Sequence, residues 1–181
     1  MGAAKRRLLQ RHHRAGFLAG IVAGGVLTAL MFILARAFGL FSLPELLGYR
    51  IIALMPLSLF SATVETFRGN AKQFFLIGAM IGQVVVAGLL GMLWASGAST
   101  MPGESRPDRR LAALWNPTPA GGIFFAILLF VLVEAFLFPL LGAGMFGVAL
   151  PAGLGATTAA LALEGIVYGA TLALLYRALM T

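Results

Sequence analysis

Residues 15–35 read AGFLAGIVAGGVLTALMFILA, 21 positions without a charge. An α-helix rises about 1.5 Å per residue and the hydrocarbon core of a bilayer is about 30 Å thick, so roughly 20 apolar residues suffice to cross it. Three more such runs follow. One is Gln73 to about Ser96, inside an uncharged stretch of 31 residues that ends at Gly103. The others are about Ala120 to Leu141 and Gly155 to about Tyr176. The pattern predicts an all-α polytopic membrane protein with about four transmembrane helices, plus one or two re-entrant or interfacial helical segments.

Composition points the same way. Hydrophobic residues make up 60% of the 181 positions and charged residues 10%, against about 25% charged in ordinary soluble domains. The expected organisation is a basic segment over 1–14 followed by a single transmembrane domain over 15–181, with 97–119 as its soluble linker. The net charge of +7 is concentrated at the start, where five of the 13 basic residues fall within Lys5–Arg14. That placement suits a cytoplasmic segment facing anionic lipid and argues against nucleic acid. The run after it is longer than the 7–15 residues of a signal-peptide core, so Arg6 and Arg7 read as part of a positive-inside cluster. The absence of cysteine excludes disulfides, thiolate metal sites and a Cys nucleophile.

Small residues recur at helical spacing. Gly16, Gly20 and Gly24 share one face, as do Gly78 and Gly82, and Gly165 and Gly169. Such stripes let helix backbones approach closely. They are expected to pack within the chain, with the Gly16/Gly20/Gly24 face against the helix of 73–96 or that of 155–176. The Phe-rich run 120–141 is expected to face lipid more.

The segment between the first two long runs is different. Ile51 to Val64 is only 14 uncharged residues, interrupted by Pro56. That is too short to span and suits a bent pair of helices dipping in from one side. Ser42 ahead of Pro44 and Glu45 has the form of a helix start. If this segment does not cross, nine basic residues lie inside (Lys5, Arg6, Arg7, Arg11, Arg14, Arg106, Arg109, Arg110 and Arg177) and four outside (Arg36, Arg50, Arg68 and Lys72). If it crosses, the split is seven to six. The positive-inside bias favours the first arrangement, with both termini cytoplasmic in an inner, cytoplasmic membrane. The apolar, glycine-rich stretch Gly142–Gly155 suggests a second re-entrant dip.

Candidate chemistry is sparse. Glu134 and Glu164 lie within apolar runs, where an acid is a functional candidate by default. Glu164 shares a polar stripe with Tyr168, Thr171 and Thr157. Gln83 is the polar residue of its span, and Arg36, Arg50 and Arg68 are available partners for the acids. Neither acid is expected to meet lipid as a bare carboxylate, and Glu134 is the more exposed of the two. The only histidines, His12 and His13, precede the first run. That excludes a haem held by transmembrane histidines and a His-based dyad, and His12-His13 reads as headgroup-facing rather than metal-binding. No nucleotide-binding or hydrolase motif is present. No catalytic residue, cofactor or metal is therefore assigned, and no enzyme activity is expected of this chain.

The run Leu43-Pro44-Glu45-Leu46-Leu47-x-x-Arg50, followed by Pro56, Phe60-Ser61, Ala71-Lys72, Gly78, Gly82-Gln83 and Gly88, resembles a known pattern. So does 139–147, PLLGAGMFG. Together they resemble the N-terminal membrane region ahead of a sulfite-oxidase-like molybdopterin domain in some bacterial proteins of Chloroflexi type. The resemblance spans nearly the whole chain and implies an anchor or scaffold for a protein partner, with a redox enzyme as a candidate partner, without the catalytic domain. In a second reading the chain resembles a substrate-binding subunit of an energy-coupling-factor transporter, with Ala15-xxx-Ala19 on the coupling face.

Overall fold

A computed structural model describes residues 3–40, 42–67, 70–100 and 115–181. Among them the chain is all-α, without strands, and four helices are long and apolar enough to cross a membrane. These are α1 (Ala3–Phe38), α4 (Ala71–Thr100), α5 (Pro119–Leu132, continued by helical turns to Leu140) and α6 (Gly153–Met180). Two shorter helices, α2 (Leu43–Leu54) and α3 (Leu57–Phe67), lie between α1 and α4. Helix α1 starts well before the apolar run and carries the basic segment as one rod with it. Helix α4 continues to Thr100, so the expected linker begins later than 97; its part at 101–114, like Arg68, lies outside the described residues.

The bundle is organised by close backbone approach. A glycine inside a helix costs about 1 kcal/mol relative to alanine, and here that cost is offset by contact. A Cβ at Gly20 would collide with the Ala87 carbonyl and lie 2.9 Å from Gly88 Cα, and one at Gly16 would lie 2.6 Å from the Gly91 carbonyl. The Gly16/Gly20/Gly24 face thus packs on α4 through Gly88 and Gly91. A second seam joins α5 to α6, where Gly122 and Gly169 each sit against the other's backbone and Gly165 lies under the Phe130 ring.

Gly78 and Gly82 depart from the expectation. Both are exposed and a Cβ on either meets nothing within 4 Å. At about 100° per residue, Gly82 points about 180° away from Gly91, so the α4 face that meets α1 is the Gly88/Gly91 face.

Helix α6 closes against α1. Tyr176 hydrogen-bonds His12, and Trp94 of α4, fully buried, meets the Tyr176 ring edge-on at 5.4 Å. The start of α1 and the ends of α4 and α6 therefore share one end of the bundle. Tyr168 adds an internal tie by donating from its hydroxyl to the Ala87 carbonyl at 2.8 Å. Ala87 is thus a junction of α1, α4 and α6.

The opposite end holds both irregular segments. The start of α2 is fixed by Ser42, whose N–H and hydroxyl both donate to Glu45 Oε2, at 3.1 and 2.9 Å. Pro56 cannot continue the ladder, so the chain breaks at Met55 and restarts as α3. At about 1.5 Å per residue neither helix reaches across a hydrocarbon core. No residue of α3 is buried. The 142–155 segment turns on Gly142, Gly144, Gly147 and Gly153, all at positive φ. Its backbone is satisfied locally, for example by Ala149 N–H to Ala143 C=O at 2.9 Å and Leu150 N–H to Gly147 C=O at 3.0 Å. Ala143 joins Phe138, Leu161 and Leu46 in a second small core under this loop.

Candidate functional site

The polar residues inside the bundle fall into separate places rather than one constellation. Glu164 is 5% exposed on α6 and its Oε2 is buried without a hydrogen-bond partner. It lines a small cavity of about 20 Å³ with Thr157, Met31, Phe138 and Leu150, room for a single water-sized molecule. The Thr157 hydroxyl is engaged with the Gly153 carbonyl at 2.8 Å. Tyr168, one turn from Glu164, is committed to Ala87 instead, and Thr171 is half-buried. The stripe read from spacing is therefore on one helix, but its hydroxyls serve different neighbours.

Glu134 is as buried as Glu164, at 5% exposed, and this corrects the expectation that it is the more exposed acid. The cause is local. Residues Val133–Leu137 form a π-helical turn immediately before Pro139. Proline at i clashes with the carbonyl of i−4 and lacks a donor, and a widened turn relieves both problems. That turn carries Glu134 into the bundle, and its Oε1 is buried without a partner.

The expected cationic partners do not reach these acids. Arg36 and Arg50 are both exposed, and among the described residues no ion pair links either to Glu134 or Glu164. Lys72 instead donates to the Tyr49 hydroxyl at 3.1 Å, tying α2 to the start of α4. His12 is half-buried and hydrogen-bonded to Tyr176.

Gln83 is placed where α4 meets α1. Its Nε2 donates to Thr28 Oγ1 and approaches Met31 Sδ, both at 3.2 Å, and its Oε1 is buried without a partner. It also lines an apolar cavity of about 330 Å³, bounded by residues of α1, α2, α4, α5 and α6. Thr28 and Met31 had no distinguishing signal in the sequence, since each is one polar or soft residue within an apolar run. The cavity had none either, because its walls come from five helices distant in sequence.

Compared with known proteins, the chain matches no family model, no curated protein and no solved structure.

Proposed function

We propose that this chain is an integral membrane anchor and scaffold for a partner protein, a redox enzyme being the partner class implied by the sequence resemblance. The observation that supports this reading best is how the long helices are fixed. Gly16 and Gly20 seat α1 on the backbone of α4, Gly122 and Gly169 seat α5 on α6, and Tyr168 bonds α6 to α4. Backbone-to-backbone seams of this kind leave little room for sliding, which suits a fixed platform.

In this reading the end carrying both termini faces the cytoplasm of a bacterial cell, with Arg11 and Arg14 at anionic headgroups. The α2–α3 pair and the 142–155 loop re-enter from the other face, and their locally bonded backbones suit that depth.

Isolation of the tagged chain from its native membrane in a mild detergent tests the proposal. A partner retained in fixed stoichiometry through size-exclusion chromatography, and a redox chromophore migrating with it, is the expected result. A chain that elutes alone from every mild detergent would refute the scaffold role.

A further inference from the structure

A groove of about 390 Å³ lies between α1 and α6 near the start of α1. Helix α1 lines it with Gln10, Arg11, Arg14, Ala15 and Leu18, and α6 closes it with Leu179. Its two ends differ in chemistry. Gln10, Arg11 and Arg14 are exposed at one end, and the exposed side chains of Leu18 and Leu179 supply an apolar wall.

A guanidinium offers five N–H donors and no acceptor. No acid lines the groove. Among the described residues, Glu45 and Glu65 lie on α2 and α3 at the opposite end, and Glu134 and Glu164 are buried inside the bundle. His12 and His13, between the two arginines in the chain, are bases as well. The described acids thus supply no counter-charge for Arg11 and Arg14, and the groove is complementary to an anion from outside.

The depth fits a phospholipid. At about 100° per residue, Arg11, Arg14, Leu18 and Val22 fall within about 80° of one another around α1. Leu18 and Val22 stand about 6 and 12 Å beyond Arg14 along the axis, and the charge-free run begins at Ala15. The guanidinia therefore stand where the apolar run starts, the level of lipid phosphates, and an exposed aliphatic strip leads from them towards the acyl region. Inorganic phosphate would meet the arginines but leave Leu18 and Leu179 bare. A zwitterionic lipid brings its own cation, which competes with the arginines for its phosphate.

We infer that this groove binds one anionic phospholipid, its phosphodiester on Arg11 and Arg14 and an acyl chain against Leu18 and Leu179. The site rests on the placement of the start of α1 at headgroup level, proposed above, and not on the identity of a partner protein.

The chain has no cysteine, so Val22→Cys gives a single attachment point for a bimane fluorophore beside the groove. The full chain, labelled there, is placed in phosphatidylcholine vesicles with rising fractions of acyl-brominated phosphatidylglycerol or acyl-brominated phosphatidylcholine. Quenching by the glycerol lipid should saturate, with about thirtyfold tighter association than the choline lipid, from two arginines at about fivefold each. Arg11→Gln and Arg14→Gln should each lower that preference about fivefold, and the double variant should abolish it. Arg177 is exposed beside His12 but lies outside the groove, so Arg177→Gln should leave the preference unchanged. Circular dichroism and thermal unfolding establish that each variant is folded. An equal loss in Arg177→Gln would mean diffuse attraction to a positive end and would overturn the site. So would equal quenching by the two lipids, or a preference that survives the double variant. Displacement of the lipid by soluble glycerophosphoglycerol would show a site for free phosphodiesters instead. Quenching by neither lipid would refute the headgroup-level placement itself, and the site with it.

Discussion

At Glu164, the carboxyl is enclosed by Met31, Phe138 and Leu150, with Oε2 lacking a donor. Burying a bare charge at membrane depth costs about 2.5–3.5 kcal/mol on insertion scales, so the neutral acid is the form this pocket accommodates. Gln has nearly the same shape. Glu164→Gln should therefore change stability by less than about 1 kcal/mol, as volume-conserving changes do. Glu164→Ala should cost about 1–3 kcal/mol by enlarging the cavity already there. Thermal unfolding in detergent measures both. The same comparison applies at Glu134, whose carboxyl is equally buried with Oε1 unpartnered, because Gln keeps its volume whereas Ala leaves a cavity. Glu134→Ala should accordingly destabilise more than Glu134→Gln in the same assay. Loss of partner function in either Gln variant, with unfolding unchanged, would mean that titration of the acid is used.

Between elements, the glycine seams give a paired prediction. Gly20→Leu drives a side chain into the backbone of α4 at Ala87 and Gly88. It should destabilise by about 3 kcal/mol, the upper end for overpacking. Gly78→Leu meets open space and should be neutral or stabilising by up to about 1 kcal/mol, through helix propensity alone. Comparable losses at both positions would contradict the packing described. This pair also marks where the sequence was legible. The long helices were, because each is an uninterrupted apolar run, and so was the break at Pro56. The small-residue spacing marked faces capable of close approach, but Gly78 and Gly82 have the same spacing as Gly16 and Gly20. Only the rotation of α4 about its axis decides which glycines meet a neighbour, and that rotation is set by the other helices. The burial of Glu134 was hidden for a related reason, since it depends on a π-helical turn that a uniform helical period does not anticipate.

Across the whole molecule, the antiparallel pairing of α1 with α4 and α6 puts the start of α1 beside the end of α6, and the proposed topology places that end in the cytoplasm. Reporter fusions at Thr181 and within 101–106 should both give cytoplasmic signals. An external signal from either would require the 43–67 segment to span. The cavity beside Gln83 was the least legible part, because its walls are drawn from five helices distant in sequence.

The bond between His12 and Tyr176 has a consequence for biogenesis. Tyr176 belongs to α6, which follows α1 and α4 in the chain, so it leaves the ribosome after both. The first helix to be inserted must wait in the bilayer for the last, held meanwhile by its glycine seam with α4. A nascent chain stalled before α6 would leave Trp94 uncovered on the side where Tyr176 belongs. Completion of the bundle is thereby coupled to the emergence of α6, because the Tyr176 contacts to His12 and Trp94 can form only then.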